Sequence, residues 1–271
     1  MKPLDAARLL QTRRAPFVDL AGRVAECERC PRLRAHCREI ARVKRRAYRD
    51  EEYWGRPVPG FGDPDARLLI IGLAPAAHGA NRTGRMFTGD SSGSWLYEAL
   101  HRYGWANQPD TTGAGDGLRL SGAYVTASAR CAPPANKPTP AEIANCRGFL
   151  LEELSMLVRV QVVLSFGRIA FDAYLAALAA RGTPWAGAKP AFAHNALHTP
   201  SATRAAAAST ARATSMRAAR STEPPLLVTS YHPSRQNTQT GRLTREMFHA
   251  VFARCRAILG SEGTRGGGGR R

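Results

Sequence analysis

Four short apolar runs, at 67–72, 123–128, 160–166 and 225–231, constrain this chain more than any other feature. Each is a near-continuous stretch dominated by aliphatic residues, without the polar alternation of a sheet that keeps one face wet. Helical patterns separate them. A helix at 95–103 follows two N-cap candidates, Ser91 and Ser92, and stops at Gly104. Thr139-Pro140-Ala141-Glu142 reads as a capping box with proline in the first turn, opening a helix to about Leu157. An Ala/Leu-rich stretch at 168–181 ends at Gly182. In 244–259, Met247, Val251, Cys255 and Leu259 recur at helical spacing, which makes Cys255 a core residue. An amphipathic helix at 5–25 precedes them all. Strands buried on both faces and alternating with helices predict an α/β fold, with a parallel sheet of four strands covered on both sides.

The length of 271 residues fits one large domain. We read a single domain over 1–260, interrupted at about 199–224 by a low-complexity Ala/Ser/Thr/Arg insertion and followed by a disordered Gly/Arg tail at 261–271. No apolar run approaches the ~20 residues of a membrane span, and the N-terminal residues lack a signal-peptide pattern. A cytoplasmic protein without membrane contact is expected. The net charge of +18 is almost all arginine, because lysine occurs only at 2, 44, 137 and 189. Such an excess favours a polyanionic partner, most commonly nucleic acid.

In doubly wound folds, ligands bind beyond the carboxyl ends of the strands. That rule gathers residues far apart in sequence. The first strand runs into GLAPAAHGANRTGRMFTGD (72–90), with four glycines, His78 and one carboxylate, Asp90. Cys131 follows the second strand, and Gly167 and Arg168 follow the third. His232 follows the fourth and opens the polar run HPSRQNTQTGRLT (232–244), whose amide and arginine donors suit phosphate contact. A histidine in isolation is more often structural; its place opposite a glycine-rich loop reverses that reading. The loop is no P-loop, because no Lys-Ser/Thr follows it, and no G-x-G-x-x-G occurs there.

Six cysteines in a cytosolic chain point to metal rather than to a disulfide framework. Cys27 and Cys30 form C-x2-C; Cys131 and Cys146 are separated by fourteen residues. Four thiolates from two distant segments suit zinc or a [4Fe–4S] cluster equally. Cys37 falls on the helical side of the first pair and is left out of the set.

With these motifs in view, the chain resembles the type 5 (b-type) branch of iron–sulfur uracil-DNA glycosylases. The resemblance is carried by 72–90, by RCAPPANKPTPAE (130–142), by 232–244 and by the four cysteines. It implies a three-layer α/β/α sandwich around the four-stranded sheet, and a [4Fe–4S] cluster on Cys27, Cys30, Cys131 and Cys146. It implies an enzyme that flips uracil, hypoxanthine and related bases out of double-stranded DNA and hydrolyses the N-glycosidic bond. No lysine lies in 72–90 or 232–244, so a monofunctional enzyme without a Schiff-base step is expected, and a monomer. Phe87 would stack on the flipped base, with Ala74, Ala76 and His78 around it. A neutral His232 would donate to the departing base. Asn81 or Asp90 would orient water, with Asn81 favoured for its place in the loop and Asp90 able to serve as a helix cap instead. Arg235, Gln236, Asn237, Arg242 and Lys137 would contact DNA. Other branches place a polar side chain near Leu73 or Ala74 and an Asn where this chain has Ala127. A metal-stapled DNA-binding protein without catalysis is the competing reading.

Overall fold

The computed structural model describes residues 3–185, 187–200 and 224–261. The inferred insertion at 199–224 and the tail lie almost wholly outside these residues.

The four apolar runs form the centre of one sheet: β2 (Leu68–Gly72), β3 (Ala123–Ala127), β4 (Val162–Phe166) and β6 (Leu226–Ser230). All four are mutually parallel, in the order β3-β2-β4-β6. Two short antiparallel strands extend the expected four to six, β1 (Phe61–Gly62) beside β3 and β5 (Ala196–His198) beside β6. At two and three residues they carry no hydrophobic run that a sequence could announce.

Side chains alternate between two cores, as the two-residue period of a strand demands. Leu68, Ile70, Val125 and Leu164 face α4 (Ser91–Arg102) and α8 (Arg245–Ser261). Leu69, Ile71, Val163 and Leu227 face α5 (Pro140–Met156) and α6 (Gly167–Ala180). Both faces of these strands are buried, which is why they read as unbroken apolar runs. Cys255 is fully buried on α8, and burial pushes its thiol up to about 12. The Thr139 capping box forms: Thr139 Oγ1 accepts from the Glu142 N–H at 3.2 Å, and Glu142 accepts from the Thr139 N–H at 2.7 Å. At α4 the cap is Asp90, not Ser91 or Ser92; its Oδ1 accepts from the Gly93 N–H at 2.9 Å.

The remaining helices are α1 (Pro3–Ala25), α2 (Pro31–Val43), the short α3 (Ala80–Thr83) within the glycine-rich loop, and α7 (Arg235–Gln239) within the last loop. None of the described helices is long and apolar enough to cross a membrane. From β2 the chain first passes outward to β3 and then returns to the other side as β4. A crevice at the carboxyl ends of β2 and β4 follows from that reversal.

Candidate active site

The crevice is a cavity of about 620 Å³ lined by Leu73 and Ala74 after β2, by Phe166 and Gly167 at the end of β4, and by Phe87, Asp90 and His232. Its closed end is aromatic. The Phe87 and His232 rings stack at 5.8 Å with 23° between their planes, and Phe166 meets both edge-on, at 5.9 and 6.3 Å. Two glycines make room for this arrangement. A Cβ on Gly72 would lie 2.6 Å from Phe87 Cζ, and one on Gly93 would lie 1.8 Å from the Phe87 carbonyl oxygen. Phe87 itself adopts φ +54°, a left-handed backbone that a bulky side chain rarely accepts. The surrounding loop therefore holds this ring against its own preference.

His232 is only partly covered, yet desolvation by the aromatic wall lowers its pKa to about 4. It is neutral at physiological pH, and neither ring nitrogen has a hydrogen-bond partner among the described residues. Its backbone is fixed instead: the Asn237 side-chain amide donates to the His232 carbonyl at 2.9 Å. Burial raises the Asp90 pKa, against hydrogen bonds from the Gly93 and Ser92 N–H groups and the nearby Arg82 charge. The Asp90 carboxylate thus both caps α4 and lines the pocket wall.

Asn81, the favoured water-orienting residue, does not line this pocket. It is fully buried, and its amide donates to the carbonyls of Cys37 at 3.3 Å and Ala77 at 3.4 Å. It ties the glycine-rich loop to α2. His78 lines a neighbouring cavity rather than the base pocket, whereas Ala76 borders both. Ala74 lies on the wall as expected. Ala127 is buried inside the sheet and does not line the pocket. Lys137, Arg235 and Gln236 stand exposed at the pocket mouth. Arg242 turns away and covers the Tyr231 ring at 4.8 Å, outside the pocket. Sequence reasoning missed Phe166, Ala135 and Asn136 as wall residues. The positive φ of Ala135 and Asn136, 52° and 56°, has no sequence signal beyond the flanking prolines.

The cysteines gather on the other side of the 130–142 segment. Cys30, Cys37 and Cys131 share one buried cluster with Leu33 and Ala132. The Cys37 thiol donates to the Ala132 carbonyl at 3.7 Å, beside Cys131, and Cys146 lies within electrostatic reach of Cys131, Cys30 and Cys27. Cys37, set aside on sequence grounds, is thus fully buried beside the expected ligands. Among the described residues, no three His, Cys, Asp or Glu side chains are already disposed as a metal-binding group. Arg32 bonds Glu142 at 2.8 and 2.7 Å and so joins α2 to α5. A separate cleft of about 560 Å³ beside α2 is lined by Glu28, Arg34 and Arg38, which pair among themselves, and lacks any wall from the sheet's carboxyl edge.

Residues 59–256 match the family model of the uracil-DNA glycosylase superfamily. The chain is 48% identical over 234 residues to the type-5 uracil-DNA glycosylase of Thermus thermophilus, covering 86% of this chain and 94% of that one. It is 44% identical to the type-5 uracil-DNA glycosylase of Mycobacterium bovis, over 90% of this chain and 82% of the relative. That of Pyrobaculum aerophilum is 38% identical, over 95% and 99%. This chain belongs to the type-5 uracil-DNA glycosylase family. Membership gives the crevice its meaning, since the pocket found from sheet topology falls inside the matched region. The pocket wall at Leu73 and Ala74 is apolar, so no side-chain amide or carboxylate stands there.

Proposed function

We propose that this chain excises uracil, and other deaminated bases such as hypoxanthine, from double-stranded DNA as a monofunctional glycosylase. The observation that carries the reading is the Phe87–His232 pair at the closed end of a crevice with Asp90 on its wall.

The glycosidic bond is shielded inside a duplex, so the nucleotide must leave the stack. Exposed Arg235, Gln236 and Lys137 at the mouth meet the strand. A flipped base enters an apolar slot and stacks on Phe87; such stacking contributes ~1–3 kcal/mol. As the C1′–N bond breaks, the electron pair passes to the base, whose oxygen becomes anionic. Neutral His232 donates a hydrogen bond to that oxygen. One preorganised donor of this kind contributes about 3 kcal/mol. The sugar acquires positive charge, which the Asp90 carboxylate stabilises. The Asp90 carboxylate, capped through Oδ1 by the Gly93 N–H, orients water for the new C1′–O bond. Water adds at C1′ and gives up one proton, and the base, which leaves as its anion, takes up one, so that the hydrolysis balances. Apolar Leu73 and Ala74 set no hydrogen-bond requirement on the base edge, which supports a broad substrate range.

The four cysteines fit a [4Fe–4S] cluster. Cys27, Cys30, Cys131 and Cys146 would hold it, and Cys37 packs against the set. The fit is supported by Arg130, whose side chain is 1% exposed: it bonds Glu153 at 2.6 Å, yet its Nε and Nη1 have no partner. Its charge lies near Cys146. Anionic sulfur is the acceptor such orphaned donors lack. The cluster would supply a rigid staple between α2, α5 and the 130–142 segment that forms one pocket wall.

The test is a duplex carrying a single uracil or hypoxanthine, incubated with the protein and then treated with alkali. Strand breaks only after alkali are expected, with no covalent complex trapped by borohydride. Binding without any breaks would establish the non-catalytic reading, and a borohydride-trapped adduct would refute monofunctional chemistry. Stoichiometric iron and sulfide, with a brown colour, are expected of the purified protein; stoichiometric zinc would refute the cluster.

A further inference from the structure

A second cavity, of about 300 Å³, opens beside the base pocket and shares Asp90, Asn136 and Arg235 with it. Its outer wall is Arg45, Tyr48 and His78. Most buried arginines near the site are paired: Arg82 with Glu51, Arg85 with Asp116, Arg130 with Glu153. Arg45 and Arg235 differ. Both guanidinium groups are exposed at this cavity, and neither has a carboxylate or carbonyl partner among the described residues. His78 is held by its inner nitrogen. Its Nδ1 lies 3.0 Å from the Tyr53 hydroxyl, which already accepts the Arg45 backbone N–H at 3.3 Å. The hydroxyl proton is therefore free to point at Nδ1. Burial, with the Arg45 and Arg82 charges, lowers the His78 pKa and keeps the ring neutral. A neutral ring that accepts at Nδ1 carries its proton on Nε2. The Tyr48 ring is braced from behind by the Arg82 guanidinium, 3.9 Å away.

We propose that this cavity binds the phosphodiester adjoining the flipped nucleotide, with Arg45 and Arg235 on its anionic oxygens and the His78 Nε2–H as a third donor. The two arginines outweigh the one carboxylate on the shared wall. The proposal rests on the glycosylase reading of the base pocket and adds to it a built site for one particular phosphate of the substrate.

The experiment measures fluorescence anisotropy on a duplex holding a non-cleavable 2′-fluoro analogue of deoxyuridine. An uncharged methylphosphonate replaces, in turn, each phosphate flanking the lesion. At one flanking position the wild type should lose about tenfold in affinity, the scale of one charge-assisted hydrogen bond. At that position Arg45→Gln, already weaker on the unmodified duplex, should lose several-fold less than the wild type, because only Arg235 and His78 still meet the charge there. His78→Phe, which keeps a ring and removes the donor, should shrink the loss in the same direction and by less. Equal losses for wild type and Arg45→Gln at every flanking position would overturn the proposal. Arg45 is exposed, and an unchanged melting temperature for Arg45→Gln verifies that folding is intact. Uracil excision by the wild type from an unmodified duplex is run in parallel. Its absence refutes the glycosylase reading, whereas excision without a sensitive position refutes the phosphate subsite alone.

Discussion

The two loops that face each other across the pocket are built in opposite ways. The glycine-rich loop has no fully exposed residue, and Ala80, Asn81, Arg82, Arg85, Met86, Phe87 and Thr88 are all buried. Its backbone is set by long-range partners. Tyr97 donates its hydroxyl proton to the Met86 carbonyl at 2.7 Å, Asn81 reaches Cys37, and Arg85 reaches Asp116. The last loop is mostly exposed, and only Pro233 and Leu243 are fully covered. Its contacts are local, such as Ser234 Oγ accepting from the Asn237 N–H at 3.4 Å. A platform that must hold a strained phenylalanine needs distant anchors. An arm that meets a deformable duplex needs exposed donors on a short scaffold. The difference predicts which substitutions damage the fold and which damage only contact with DNA.

The largest effect should come from Arg85→Ala. Arg85 is 4% exposed and makes two bonds to Asp116, at 2.8 and 2.6 Å, with further bonds to Thr88 and Thr111. Removing it strands the Asp116 carboxylate, and breaking such a buried pair costs about 3–5 kcal/mol. Although burial opposes ionisation, the Arg85 guanidinium and the N–H groups of Leu118, Thr112 and Gly113 hold the Asp116 pKa well below the usual carboxylate range. The stabilisation is present above the ordinary carboxylate pKa and is lost as pH falls towards the depressed value. Arg85→Ala should therefore lower the melting temperature most at neutral pH and less near pH ~3. An equal drop at both would break the assignment.

His232→Ala should come next. It removes the donor at the departing base and should slow single-turnover excision by about 100-fold or more, leaving duplex affinity within a few-fold. The same histidine carries a stability signature. Its folded pKa of about 4 lies below the 6.5 of a free imidazole, so the unfolded chain binds the proton first. Stability should fall as pH drops from 6.5 towards 4, and His232→Gln should flatten that part of the profile. A wild-type profile already flat in this window would contradict a neutral, desolvated ring.

The same contrast explains what was legible in the sequence. The four parallel strands, the capping box at Thr139 and the convergence of His232 with the glycine-rich loop all follow from local pattern plus one topological rule. The role of Asn81 did not. Its place in the loop suggested a catalytic amide, but burial and a carbonyl on α2 claim its donors. That partner lies 44 residues away, and no spacing rule reaches it. The burial of Cys37 beside Cys30 and Cys131 was hidden for a related reason: helical placement says nothing about which distant segment packs on that face. The edge strands β1 and β5 are too short to leave a hydrophobic signature. Contacts within an element are written in its residues, whereas contacts between elements depend on a packing that only the folded chain displays.

Phe87→Ala should lie between the two loops in its effect. Losing the stacking platform should reduce excision efficiency by the equivalent of about 1–3 kcal/mol. It also removes the ring that fills the space above Gly72, so a modest loss of melting temperature should accompany it. Phe87→Leu, which refills the volume without an aromatic face, should recover the melting temperature and not the activity. Recovery of both would reduce Phe87 to a packing residue.

The smallest effect should come from Arg235→Ala, on the exposed arm. Arg235 begins α7, is open to solvent and carries no ion pair among the described residues. Surface substitutions of this kind change stability by no more than about 0.5 kcal/mol, so the melting temperature should stay put. Losing one phosphate contact should weaken duplex binding evenly across sequences, and the slope of log affinity against log salt should shrink by about one. Arg85→Ala should do the reverse, moving the melting temperature far more than the salt slope. An Arg235→Ala variant that melts several degrees lower with an unchanged salt slope would show that the exposed arm is also a structural anchor. The opposition between the two loops would then fail at the residue where it is simplest to measure.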